Sequence, residues 1–184
     1  MLDPGWKPAL RYVPRSFFLR ILPWTTKAMP PRILAMRAAF LAYLGMLAVV
    51  ALMVVAFDSG RTGSVSPGIA AACVVGFGVY SVIATKFVIE RKPLGAIPAE
   101  LIGAKYMERY FIGTAFAMSV ALVGFIAMTL AGEPLLLAVG YLFGVPMLLR
   151  AVPTKRRIAT DDQNRRAEGG DGSLSDALFV ARRA

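Results

Sequence analysis

Residues 38–57 read AAFLAYLGMLAVVALMVVAF, a run with no charge and no proline, whose one strong hydrogen-bonding side chain is the Tyr43 hydroxyl. At about 1.5 Å of rise per residue such a helix spans roughly 30 Å, the thickness of a bilayer's hydrocarbon core. A helix in water keeps a polar face, and this one has none. Working outward, three more runs follow the same rule: 68–87, charge-free up to Thr85 with Lys86 snorkelling at its end, 110–131, and 134–152. The expected fold is an all-α membrane protein, a four-transmembrane-helix bundle with both termini cytoplasmic.

The composition agrees. Of 184 residues, 57% are hydrophobic, the mean hydropathy is +0.61, and the charges fall in a few blocks instead of covering a surface. The net charge of +10 fits Lys and Arg gathered beside anionic headgroups, and no basic face interleaved with aromatics suggests nucleic acid. The lone cysteine, Cys73, lies in an apolar run and is expected to be a buried structural thiol. There is no histidine, which removes His-ligated haem, most zinc and copper sites and imidazole-dependent triads.

Residues 1–37 form a basic preface, with Asp3 as its single acid. Its length, and the absence of a small-x-small site after the first apolar run, argue against a cleavable signal peptide. Prolines cut it into short pieces, of which SFFLRILPW (16–24) is the most apolar. Here Phe17, Phe18 and Trp24 are expected to dip into the membrane interface while Arg15 and Arg20 reach phosphate. A loop folded back on the bundle, or docked on a partner protein, would use the same surface.

Small residues mark where helix backbones approach closely in lipid. Gly68, Ala72 and Gly76 recur every four residues in the second run, with Ala70, Val74 and Gly78 on the adjacent stripe. Gly113, Ala117 and Ala121 do so in the third, and Gly140 and Gly144 in the fourth. The Gly132–Glu133 link forces the last two runs into an antiparallel hairpin, and Pro146 is expected to kink the fourth. Gly76-Phe77-Gly78 lacks the third glycine of a dinucleotide loop.

The connection 88–109 carries mixed charge, and from Ala99 it resumes a helical pattern, an amphipathic lead-in continuous with the third run. Glu100 and Glu108 could hold a cation, but the intervening Lys105 and Arg109 favour an ion-pair ladder. Residues 153–184 read as a basic, mostly disordered tail, with Leu174 to Ala184 a short amphipathic candidate. Asp161 and Asp162 are too exposed to argue for a metal.

Counting Lys and Arg gives seven before the first run, five between the second and third, and eight from Arg150 onward, against one (Arg61) and none in the two short turns. This asymmetry puts both ends and the middle loop in the cytoplasm of a plasma-membrane protein.

No run contains Asp or Glu, whereas a carrier or proton relay is expected to keep a carboxylate at depth. The polar groups that remain there, Tyr43, Tyr80, Ser81, Thr114, Ser119, Thr129 and Tyr141, are expected mostly to bond between helices. No catalytic residue, cofactor or metal site is assigned, and a non-enzymatic role follows. The plan of an Arg-rich cytoplasmic N-terminus, four spans and a polar basic tail, in a chain rich in Ala, Arg, Val and Gly, is similar to actinobacterial four-helix subunits. It resembles the LucB-type accessory subunits of Mce (mammalian cell entry) lipid-import complexes. That resemblance implies a scaffolding role beside a permease and ATPase that import fatty acids or other lipids, with no functional residue to carry over. An accessory subunit of a respiratory complex and a stand-alone small transporter or channel stay open.

Overall fold

The computed structural model describes residues 3–18, 28–29, 31–57, 63–90, 97–179 and 182–183. The architecture is helical: α1 (Lys7–Phe18), α2 (Arg32–Phe57), α3 (Pro67–Thr85), α4 (Ile102–Ala131), α5 (Leu135–Arg150), α6 (Lys155–Ala167) and α7 (Leu174–Phe179). A five-residue π-helical turn, Lys86–Glu90, extends α3. Two-residue strands β1 (Ala28–Met29) and β2 (Arg182–Arg183) pair antiparallel. Three helices, α2, α3 and α4, are long and apolar enough to cross a membrane, or four if α5 is counted together with α6.

Local chemistry sets these boundaries. Pro67 occupies the first turn of α3, where its missing N–H costs nothing. Thr154 caps α6, its hydroxyl accepting from the Arg157 N–H at 3.3 Å. Ser173 caps α7 in the same way, accepting from Asp176 N–H at 3.2 Å. At the end of α4, Gly132 takes φ +69° and donates to Met128 O at 2.8 Å, a left-handed C-terminal stop that suits a residue without Cβ.

The chain divides into two compact units. The first comprises Met1–Ala42, Lys92–Tyr110 and Val152–Ala184, the second Tyr43–Arg91 and Phe111–Ala151, so α2 and α4 contribute to both. The second unit is apolar. Its core gathers Ala70 and Val74 of α3, Ala127 and Ala131 of α4 and Leu136 of α5, with Val65, Val123 and Val139 packed alongside. The backbone N–H groups of Ser64 and Val65 donate to Leu130 O at 2.8 and 3.2 Å, satisfying a carbonyl that the end of α4 would otherwise orphan.

Three expectations are corrected. The tail after residue 153 is not mostly disordered. It forms α6 and α7, which bury Ile158, Asp162, Arg165, Leu174 and Leu178. Cys73 is exposed on α3, not buried. Ser119 and Thr129 donate back to the Ala115 and Phe125 carbonyls of their own helix, both at 2.8 Å, instead of bridging helices, which is how hydroxyls satisfy themselves in an apolar helix; Thr114 donates to the Phe111 carbonyl at 3.1 Å. Tyr141 does cross, donating to Leu47 O at 2.7 Å.

Candidate functional site

The first unit is built on buried polar junctions, and the largest belongs to Arg37. This residue stands directly before the apolar run 38–57, and α2 begins early enough, at Arg32, to include it. Its side chain is 1% exposed. Arg37 donates to both oxygens of Asp3 (Nη1 to Oδ1 2.6 Å, Nη2 to Oδ2 2.8 Å), to Gly5 O at 2.8 Å and to Pro153 O at 3.3 Å. The Trp6 ring covers it, 5.0 Å from centroid to guanidinium carbon, and Phe40 meets Trp6 edge-on at 5.9 Å. The planar fork of arginine suits this bidentate, ring-stacked geometry, which a lysine cannot reproduce. The Arg37 hydrogen bonds, with help from the Gly5 N–H and the nearby charge of Lys155, hold the Asp3 carboxyl below its usual range although desolvation acts against them. One guanidinium thus ties the segment before α1, the start of α2 and the segment before α6.

Two tyrosines of α4 make the next junction. Tyr106 donates to Asp161 Oδ2 of α6 at 2.7 Å and Tyr110 to Met36 O of α2 at 2.8 Å. Asp161 also faces Arg157 at 4.0 Å. A carboxylate already held by a phenol and a guanidinium acts as a tether and is a poor general base.

The third junction folds α6 and α7 together. Asp162 accepts from the Leu174 N–H at 2.8 Å and from Arg166 at 3.0 Å. Arg165, with 0% exposure, donates to the Gly172 carbonyl at 2.8 Å and to the Asp171 carbonyl. A Cβ at Gly103 would strike the Arg32 guanidinium and come within 2.9 Å of Ala177 O, so α7 seats on the start of α4 where that helix has no side chain.

The small-residue positions separate into two groups. A Cβ on Gly124 would lie 2.8 Å from Gly140 Cα, and one on Gly144 would lie 2.8 Å from Ala117 O and 3.4 Å from Ala121 Cβ. The backbones of α4 and α5 therefore touch through Ala117, Ala121, Gly124, Gly140 and Gly144. Gly113 instead faces Ile89 of the π-helical turn, whose Cδ1 would be 3.1 Å from an added Cβ. On α3 the stripe that packs is Ala70, Val74 and Gly78, the last lying under the Phe143 ring. Gly68, Ala72 and Gly76 are exposed, and an added Cβ at Gly76 would meet nothing within 4 Å. Among the described residues no helix packs against this stripe.

Arg15, Phe17 and Phe18 fall in α1, while Arg20 and Trp24, like Arg61 and the Arg91–Lys92–Pro93 segment, lie outside the described residues. Lys105 pairs with Glu108 at 2.8 Å, as an ion-pair ladder requires. Gly124 was legible as a further step, three residues on from Ala121. Arg37 was hidden, because a basic residue before an apolar run ordinarily reads as a solvated flank. Among the described residues no group of three or more His, Cys, Asp or Glu could hold a metal ion. Comparison with known proteins found no matching family model, no matching curated protein and no matching solved structure.

Proposed function

We propose that the chain is a non-catalytic accessory or scaffolding subunit of a larger complex in the plasma (inner) membrane, with an Mce-type lipid-import complex as the best candidate. In this reading α5 crosses alone as a fourth span. Its 16 residues give about 24 Å of helix, a modest mismatch that local bilayer thinning absorbs. The charged α6 (KRRIATDDQNRRA) stays outside the hydrocarbon. Both termini are cytoplasmic, and the partners are integral membrane subunits, a permease and ATPase, and anionic phospholipid headgroups.

The observation that supports it is how the buried polar side chains are used. Arg37, Asp162, Arg165, Tyr106 and Tyr110 all hold one segment of the first unit to another, which is structural work and not chemistry. The small face Gly68, Ala72 and Gly76, open on α3, suits a neighbouring helix backbone. Copurification from a tagged strain with mass spectrometry tests the reading. A permease and ATPase in stoichiometric amount are expected. Respiratory subunits would move the assignment to that class, and recovery of the chain alone would defeat the subunit reading.

A stand-alone small transporter is the second reading, favoured by one feature. Ser81 and Thr85, a turn apart on α3, bury hydroxyl oxygens that have no hydrogen-bond partner among the described residues, as groups lining a polar path would. Solute uptake into vesicles holding only this chain, abolished by Ser81→Ala, would establish that reading.

A further inference from the structure

We propose that Lys7, Arg11, Lys155 and Arg156 form a single cationic surface that docks the anionic phospholipid headgroups of the bilayer. The proposal rests on the membrane reading above and gives the headgroup contact its residues.

Lys7 and Arg11 are one turn apart on α1, and Lys155 and Arg156 open α6; all four are exposed. They lie more than 140 positions apart along the chain, yet Arg37 brings their helices together. It grips Asp3 and the Gly5 carbonyl immediately ahead of α1, and the Pro153 carbonyl immediately ahead of α6. The first turns of both helices therefore start from one guanidinium, and Lys155 is near enough to act on the Asp3 carboxyl.

Among the described residues, the other exposed cations of this unit are matched: Lys105 with Glu108, Arg157 with Asp161, Arg166 with Asp162. Among the described residues none of the four makes an ion pair, and the one acid that Lys155 acts on, Asp3, is already held by Arg37. Two of them also stand in the first turn of α6, which carries no acid, so their charges oppose the helix dipole instead of complementing it. An anion supplied from outside relieves both repulsions. The chain itself indicates that anion's source. Arg37 directly precedes the charge-free run 38–57, and Pro153 follows the end of α5 at Arg150 by three residues. Both anchors of the cationic surface therefore lead straight into apolar helices, at the depth where headgroup phosphates lie.

The test uses the full chain, purified alone in neutral detergent, so no partner enters. Short-chain phosphatidylglycerol, short-chain phosphatidylcholine and inorganic phosphate are titrated separately at low and high salt. Wild type is expected to prefer phosphatidylglycerol by about tenfold or more, with the preference shrinking in salt. The K7Q/R11Q/K155Q/R156Q variant is expected to bind the two lipids alike, K7R/K155R to keep the preference, and the pairs K7Q/R11Q and K155Q/R156Q each to lose part of it. Circular dichroism checks that the variants fold; should the fourfold variant fail, the two pairs decide. A preference that survives removal of the cations, no preference in wild type, or inorganic phosphate binding as well as the lipid would each overturn the proposal. Retention of wild type and variant in membranes after a carbonate wash is scored separately, so failure of the membrane reading is distinguishable from failure of the docking surface.

Discussion

Removing the Asp3 carboxylate while leaving Arg37 in place is the most exacting perturbation of the first unit. The Arg37 side chain is 1% exposed and its partner's 19%, so Asp3→Ala strands a guanidinium that has two backbone carbonyls left and almost no water. Breaking a buried pair from one side costs about 3–5 kcal/mol, and the partial exposure of Asp3 puts the expected value near 3 kcal/mol, about a hundredfold increase in local opening. Arg37→Met should cost about 2 kcal/mol, since the surviving carboxylate can turn to water, although the Gly5 and Pro153 carbonyls lose their donor. The double variant should resemble Arg37→Met alone, giving a coupling of about 3 kcal/mol, the whole cost of Asp3→Ala. Trp6 reports directly, being stacked on the guanidinium, and a Trp24→Phe background leaves it the sole tryptophan of the two. Its fluorescence and the hydrogen exchange of amides in the first turns of α1 would be followed in detergent. An Asp3→Ala variant that opens less than about threefold, or single effects that simply add, would refute the view that this ion pair closes the unit.

Acid should release the same junction. Because Asp3 titrates below its ordinary value of 3.8, its contribution is fully present above that pH and is lost as the pH falls through the lower folded value. Trp6 fluorescence should stay flat from neutrality to about pH 4 and change only below it. Asp162→Ala should unlatch α7, exposing Leu174 and Leu178 and raising amide exchange across 170–179 by at least about tenfold, since a buried backbone N–H loses its acceptor. Gly124→Leu should push α4 from α5 and lower thermal stability in detergent by several degrees, whereas Gly76→Leu, at an exposed position where an added Cβ has no described atom within 4 Å, should leave it unchanged. A loss of partner copurification in Gly76→Leu with stability intact would assign the open face of α3 to a neighbour.

The apolar runs were legible because hydrocarbon imposes one rule on every residue of a span, and α2, α3 and α4 each hold a charge-free stretch long enough to meet it. The small-residue contact of α4 with α5 was legible for a related reason: where lipid supplies no hydrophobic drive, close backbone approach leaves a spacing that can be read directly. On α3 that spacing marked two neighbouring stripes, and it could not say that Ala70, Val74 and Gly78 face inward while Gly68, Ala72 and Gly76 do not. The first unit was illegible for a different reason. Its order comes from apolar residues scattered over separate helices, such as Ile33, Met36, Ile102, Ile158, Leu174 and Leu178, together with charged side chains whose bonds run mainly to backbone carbonyls and N–H groups of other segments. Composition counts Arg165 and Asp162 as signs of disorder, since ionised groups ordinarily stay in water. A backbone that folds back on itself satisfies them instead, and the caps at Thr154 and Ser173 fix where it does so. The physical distinction is between burial rewarded by area, which a hydropathy window sees, and burial permitted by hydrogen bonds of long sequence separation, which no local window can see. Arg37 illustrates it most sharply: one residue ahead of the first apolar run it reads as a flank, and only its distant acceptors, Asp3 and Pro153, show that it joins three segments of the chain.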